Sequence, residues 1–326
     1  MESFSKKWAQ LLWSPAVRYA GGCGALILLL TVVDVGRVVG ALALVSMQDV
    51  ALILLLGALL VWVSVLKWQL FLRELGNTTG MVRLTKLYLL GYFVNLLVPS
   101  YVGGDVARTV AVGKGQDRAR AFSATFLERY TGLVAMLLMA FVGLFGAAEV
   151  TPAMRLATVV IVFATVVGSA AVFLGYSSKI VRLLRCPERL VAIATRVEDG
   201  MRLGVSRKSV LAKAAALSLL FHLLTIVNTG AVGFAVGWTE IPWRDLLVVV
   251  PLILLIGAIP ISPQGLGIQE GAFVFFLSSV GATEAQGLAI GIILRAKSYL
   301  LALIGGLLWL LEKRGTQRAE SAQVQP

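Results

Sequence analysis

The sequence predicts an all-α polytopic membrane protein with six transmembrane helices and two re-entrant helical hairpins. Three observations carry that expectation. The 326 residues are 58% hydrophobic and 14% charged, whereas a soluble domain averages ~45–50% apolar and ~25% charged. The mean hydropathy is +0.88, and the apolar residues gather into runs near the ~20 needed to cross hydrocarbon. Lys and Arg collect in alternate connections between those runs, as expected for loops on the cytoplasmic face. The same composition excludes disorder, collagen and a disulfide scaffold, and length alone would suit about two soluble domains.

Taken in order, the first span is Arg18 to Val33, preceded by Lys6 and Lys7 and followed by Asp34. No small-residue cleavage pattern closes it, so it reads as a retained helix rather than a signal peptide. Val38 to Met47 is too short to cross and is expected along the outer interface. Asp49 to Lys67 is the second span, with Trp68 and Arg73 as its aromatic and basic edge. Ala121 to Ala147 and Met154 to Tyr176 form a helical hairpin around the short turn at Ala148–Pro152. Leu211 to Trp238 and Ala285 to Leu311 complete six crossings. Gly230, Gly233 and Gly237 are expected to allow close helix packing.

The formal charge of +12 would suggest nucleic acid in a soluble protein, but no recognition motif accompanies it and positive-inside loops account for it. The segment 177–209 carries eight basic residues between Lys179 and Lys208 and reads as a cytoplasmic basic amphipathic helix on the inner leaflet, with a solvated connector as the plainer alternative. Six crossings then put both termini in the cytoplasm of a cell whose inner membrane holds the protein. Residues 1–315 form one membrane domain, and 316–326 are expected to be a disordered tail. Cys23 and Cys186 suggest neither a disulfide framework nor a metal set.

Two apolar stretches do not read as ordinary crossings. The first, expected as a hairpin over about 84–108, contains Asn95, Pro99, Gly103, Gly104, Asp105 and Arg108. The second, over about 246–281, contains Pro260, Ser262, Pro263, Gln264, Gly265, Gly267, Gln269 and Glu270. Backbone freed by such breaks has to be satisfied by protein or by a watered cavity. The flanks of the first are basic and those of the second lie on the outer side, so the hairpins should enter from opposite faces. Paired interruptions in two halves point to a transporter binding site, and residues 1–150 and 200–315 are candidates for an inverted pair. Gly265-x-Gly267 lacks the P-loop lysine and the strand of a dinucleotide fingerprint. Its glycines instead suit a turn that exposes N–H groups at a half-helix start, where anions are attracted.

Charges inside the spans are the second pointer. Glu128, Arg129, Arg295 and Lys297 sit in otherwise apolar runs. Arg295 is ~15 Å into its helix, near the midplane, where a charge costs ~2.5–3.5 kcal/mol and needs a partner or a watered cavity. Internal pairing with Asp105, Glu128 and Glu270 is one reading; a polar cavity for a charged headgroup is the other. Ser298 and Tyr299 share a helical face with Arg295. His222 reads as a packing or hydrogen-bonding residue, and no metal ligand set or catalytic group is expected.

Pro99-x-x-x-Gly103-Gly104-Asp105-x-x-Arg108, the Glu128-Arg129 pair, and Ser262 to Gly271 followed by Arg295 together resemble the lysylphosphatidylglycerol synthase transmembrane region, or flippase-like domain family. The resemblance spans roughly residues 15–312. It implies movement of a lipid between leaflets, with no cofactor. Gln264 stands where that family often has Gly, and Gln269 where it often has Arg. In the best-known members a soluble aminoacyl-transferase domain follows. Here the sequence ends at Pro326, so lipid aminoacylation is not expected. The expected substrate site is Asn95, Gly103, Gly104, Asp105, Arg108, Glu128, Arg129, Gln264, Gly265, Gly267, Glu270, Arg295, Lys297 and Tyr299. Its ligand would be an anionic phospholipid or a lipid-linked sugar. The alternatives are a non-catalytic scaffold that partners a separate lipid-modifying enzyme, and an intramembrane headgroup transferase using Glu128 or Glu270 as base.

Overall fold

The computed structural model describes residues 15–98, 103–113, 117–183 and 208–323, with isolated positions 188, 191 and 195. Every regular element among them is helical. In chain order these are α1 (Pro15–Val32), α2 (Val35–Ala43), α3 (Met47–Glu74), α4 (Met81–Leu97), α5 (Gly103–Val112), α6 (Asp117–Gly143), α7 (Pro152–Phe173), α8 (Ser177–Leu183), α9 (Lys208–Ala235), α10 (Trp243–Ala258), α11 (Ile268–Ser278) and α12 (Glu284–Gln323), with a 3-10 turn at Pro263–Gly265.

Five of these helices (α3, α6, α7, α9 and α12) are long and apolar enough to cross a membrane. A sixth crossing is reached if α1 and α2, which bend 92° at Val33 and Asp34 and pass the same test as a pair, count as one broken span. Asp34 causes the break: its carboxylate accepts from Arg37 N–H and caps α2. Ser46 and Asp49 form a reciprocal capping box that starts α3. Thr151 caps α7, and Pro152 fills its first turn, where the missing N–H costs little. The α6–α7 turn is tied to α10 because Asp245 Oδ1 accepts from Glu149 N and Val150 N at 2.8 and 3.2 Å.

Two apolar cores stack along the bundle. One, near turns 44–46, 144–151 and 236–242, gathers Val38, Ile53, Val150, Trp238, Val249 and Leu288. The other, near loop 75–80, gathers Trp68, Phe71, Leu84, Leu127 and Ala214. Outside them the surface stays apolar: on α7, Leu156, Phe163 and Val166 are 66, 69 and 61% exposed. Such a surface is stable only against lipid tails.

Both interrupted stretches are hairpins, and they enter from opposite ends. Asn77 Nδ2, just before α4, reaches Val112 O at the end of α5, so that hairpin starts and finishes beside loop 75–80. The second starts at α10, tied through Asp245 to the turn at 149–150, and finishes where Ser279 Oγ meets Met154 Sδ at the start of α7. Their inner ends approach each other, since α4 touches the 263–265 turn, and α12 packs on both α4 and α11.

Three sequence expectations change. Lys67 and Trp68 do not mark a membrane edge: α3 runs on to Glu74, and the two side chains are 4% and 0% exposed. The stretch expected as a tail from 316 is helix as far as Gln323. Trp243, rather than another helix backbone, fills the space at Gly230, with its ring 2.5 Å from where a Cβ would stand. The amphipathic helix expected within 177–209 lies outside the described residues apart from α8 and the first turn of α9, as does the Pro99–Val102 break itself.

Candidate functional site

The first hairpin places its polar residues against α6 and α3. Gly104 N donates to Asn95 Oδ1 at 2.6 Å, so the start of α5 is capped by the hairpin's other arm. This needs glycine twice, because a Cβ on Gly91 would lie 3.1 Å from Gly104 O and one on Gly104 would collide with Gly91 O. Gly103 packs against Val98. Asp105, in the first turn of α5, then faces both Arg108 and Arg129.

Arg108 is 1% exposed. Its Nη2 meets Glu128 Oε2 at 2.5 Å and Asp105 Oδ1 at 2.9 Å, and its Nε donates to Asp105 Oδ1 at 3.0 Å. The guanidinium carbon lies 4.6 Å from the Trp68 ring centroid and 4.4 Å from that of Tyr88, a desolvated cation–π arrangement. Tyr88 Oη donates to the other Glu128 oxygen at 3.2 Å. Arg129 donates to Asp105 through Nε and Nη2, both at 2.9 Å, and its side chain is 54% exposed. Trp68 Nε1 is fixed by Thr125 Oγ1, which also meets Thr109 Oγ1. Arg108 Nη1 has no hydrogen-bond partner.

The second hairpin repeats the theme. Gln264, Gly265 and Gly267 adopt φ of 49, 65 and 76°, the left-handed region that glycine enters without strain. Gly265 lies against Gly257 and Gly267 against Gly22 of α1. Glu270 Oε2 accepts from Gly267 N at 2.7 Å, and its other oxygen pairs with Arg295 Nε. Arg295 Nη1 and Nη2 donate to the carbonyls of Gln264 and Gly265, both at 3.3 Å. Tyr299 is one turn on, its ring centroid 6.0 Å from the guanidinium carbon. Ser298 Oγ turns back to Leu294 O and takes no part.

The arrangement follows the internal-pairing reading for the arginines and changes the expectation for the half-helix starts. Arg108, Arg129 and Arg295 do not present free positive charge, because each is held by a carboxylate. The half-helix N–H groups of Gly104 and Gly267 are not open to anions, because Asn95 and Glu270 occupy them. Lys297 differs. It is half-buried, its stem lies on Gly57 of α3 with Cδ 2.9 Å from a Cβ there, and among the described residues no carboxylate pairs with it. Sequence reasoning missed Lys67, Trp68, Tyr88, Thr109, Thr125 and Ser218. The apolar company of Tyr88 and the position of Trp68 near a run's end disguised them as packing and boundary residues.

A family model described as the lysylphosphatidylglycerol synthase TM region matches residues 13–306. Two proteins of Methanothermobacter thermautotrophicus, each described as a UPF0104 membrane protein, are similar along most of their length. One is 22% identical over 301 residues, covering 84% of this chain and 86% of its own. The other is 23% identical over 302 residues, covering 85% and 89%. The charge-paired hairpins thus sit within the matched region, and the chain belongs to the lysylphosphatidylglycerol synthase transmembrane-region family.

Proposed function

We propose that the protein moves a phosphate-bearing lipid between the leaflets of a membrane, with Lys297 as the contact for the phosphate. The charge balance carries this reading. Asp105 and Glu128 match Arg108 and Arg129, and Glu270 matches Arg295. Two lysines are left over. Lys67 is 4% exposed and rests on Ser218 Oγ, whereas Lys297, roughly 20 Å along α12 from Glu284, has no such partner among the described residues, and an unpaired charge there costs ~2.5–3.5 kcal/mol. A lipid phosphate supplies the missing negative charge while its tails stay in hydrocarbon. The opposed hairpins provide the pair of elements that alternating access needs. An anionic phospholipid and a lipid-linked sugar share the phosphate chemistry, and the protein itself carries out no bond-making on them. The basic connections support a reading with both termini in the cytoplasm, and so with the protein in the inner membrane.

The neutralised arginines favour a second reading, a static scaffold partnering a separate lipid-modifying enzyme. One experiment separates the two. Purified protein is reconstituted into phosphatidylcholine vesicles carrying fluorescent phosphatidylglycerol, and dithionite quenching reports the outward-facing fraction over time. The translocator accelerates exchange above empty vesicles, and Lys297→Gln slows it about tenfold or more, the loss of a ~1.4 kcal/mol charged contact. Exchange no faster than in empty vesicles for phosphatidylglycerol, phosphatidic acid and a polyprenyl phosphate leaves the scaffold standing.

A further inference from the structure

A buried lysine and the chain's single histidine meet beside Glu128. Lys67 of α3 is 4% exposed, with Nζ 3.2 Å from Ser218 Oγ of α9 and 5.9 Å from the Phe221 ring centroid. His222, one turn after Ser218, is 6% exposed, and its Nε2 lies 2.9 Å from Gly132 O of α6. A carbonyl only accepts, so Nε2 carries the hydrogen and Nδ1 is the bare position of the neutral ring. Nδ1 is buried without a partner. Both side chains converge on Gly132, where a Cβ would lie 3.1 Å from Lys67 Nζ and 4.0 Å from His222 Nε2.

The other ionisable groups facing this spot are accounted for. From α6 come Glu128, already held by Arg108, and Arg129, held by Asp105. From α5 comes Arg108, and from α4 Tyr88, which donates to Glu128. Lys297 of α12 lies farther off, its stem on Gly57, ten residues or about 15 Å before Lys67 on α3. Two full positive charges on Lys67 and His222 would therefore face each other in a desolvated space with a hydroxyl, a ring and a carbonyl around them.

We propose that Lys67 and His222 form a proton-binding site in the core of the bundle with room for one positive charge, so that a proton held at Lys67 Nζ excludes one at His222 Nδ1 and the reverse. Its charge state reaches the first ion-pair cluster by two short routes. Trp68 adjoins Lys67 and packs on Arg108, and Gly132 lies one turn after Glu128 on α6. The ligand is a proton; as a drive for lipid movement the site rests on the translocator reading, but the site itself does not.

His222 being the chain's one histidine makes the test clean. Protein labelled with 15N-histidine, purified through a tag without histidine and held in nanodiscs, gives one imidazole spectrum. The expected result is an Nε2–H tautomer and a single imidazole transition within the pH range over which the protein stays folded. In Lys67→Met and Lys67→Gln that transition vanishes or its midpoint moves by about one pH unit, a tenfold change in proton affinity. A flat profile, or an unchanged midpoint in both variants, overturns the proposal. A second arm measures fluorescent phosphatidylglycerol exchange in vesicles under an imposed pH gradient, comparing wild type with His222→Gln. Coupled transport responds to the gradient several-fold and His222→Gln abolishes the response. Titration without any lipid exchange keeps the proton site and removes the translocator reading, whereas exchange without titration removes the proton site alone.

Discussion

Replacing Glu128 by Gln tests whether the first ion-pair cluster holds the hairpin in place. The Arg108–Glu128 contact is 2.5 Å long, and its two side chains are 2% and 3% exposed, so neither charge has water to fall back on. Glu128→Gln keeps the size of the side chain and removes its charge. Arg108 is then left with Asp105, which already accepts two bonds from Arg129. Breaking a buried pair by removing one partner costs ~3–5 kcal/mol; Asp105 retains part of the compensation, which places the loss near the lower end, about 3 kcal/mol. At an unfolding entropy of roughly 2.1 cal/mol/K per residue over about 300 ordered residues, that lowers the melting temperature by about 5 °C. The assay is a thermal melt of purified protein in one detergent. Arg108→Met should lose at least as much, since it strands Glu128. The pair Arg108→Met and Glu128→Leu should recover half or more, because apolar replacement removes both desolvation costs together. A Glu128→Gln protein melting within about 1 °C of wild type, the range of an ordinary surface change, would refute the reasoning.

The same melt examines the two glycine-dependent hairpins. Gly104→Ala drives a Cβ into Gly91 O and to 2.8 Å from Asn95 Nδ2, an overpacking that should cost ~1–3 kcal/mol. Gly24→Ala, with nothing within 4 Å of its Cβ, should stay within ~0.5 kcal/mol of wild type. Gln264→Gly removes a non-glycine residue from φ of 49° and should raise stability by up to about 1 kcal/mol; a lower melting temperature would show that its side-chain contacts outweigh the strain. Opposed entry is read by labelling with a membrane-impermeant maleimide after removing Cys23 and Cys186. Thr78→Cys and Glu149→Cys should react from opposite sides of sealed vesicles, and reaction of both from one side would end the two-sided description.

Much of this was legible in the sequence because hydrocarbon imposes simple rules. Runs of apolar residues gave the crossings, and Pro, Gly and acid inside two such runs gave the breaks, since a polar backbone in lipid has to be explained. The residues that pair at those breaks, Asp105, Arg108, Glu128, Arg129, Glu270 and Arg295, were visible as charges out of place. Internal pairing read from the sequence as Asp105 with Arg108, Glu270 with Arg295 and Glu128 with Arg129 meets the first two in the structure, whereas Glu128 goes to Arg108 and Arg129 to Asp105. The sequence spacing of Asp105 and Arg108 is a helical i, i+3 relation and could be read directly, but the Arg108–Glu128 pair joins separate helices and depends on how α5 leans on α6. Lys67 and Trp68 were misjudged for a related reason. A basic and an aromatic residue at the end of an apolar run look like a boundary, and only the continuation of α3 to Glu74, beneath α4 and α9, turns them inward.

The pairing also constrains how a translocator of this shape could work. The ion pairs between helices join elements that alternating access would separate: Asp105 on α5 holds Arg129 on α6, and Arg295 on α12 holds Glu270 together with the 264–265 carbonyls. Pulling either apart in a dry interior strands a charge at several kcal/mol, so the hairpins stay closed unless something replaces the lost partner. A phosphate can do that for an arginine, and a proton can do it for the carboxylate left behind. Lys297 lies two residues from Arg295, about 200° around α12, where it faces α3 instead of the second hairpin. A phosphate first held by Lys297 could therefore compete with Glu270 for Arg295 only by rotation of α12 or by passage across its face. On this reasoning Lys297→Gln should slow entry of the lipid, whereas Glu270→Gln, which leaves Arg295 with carbonyl partners only, should trap it. Fluorescent phosphatidylglycerol retained through detergent washing by Glu270→Gln and lost from wild type would show that order of events; equal retention by both would show that the second ion pair is a fixed brace and not a latch.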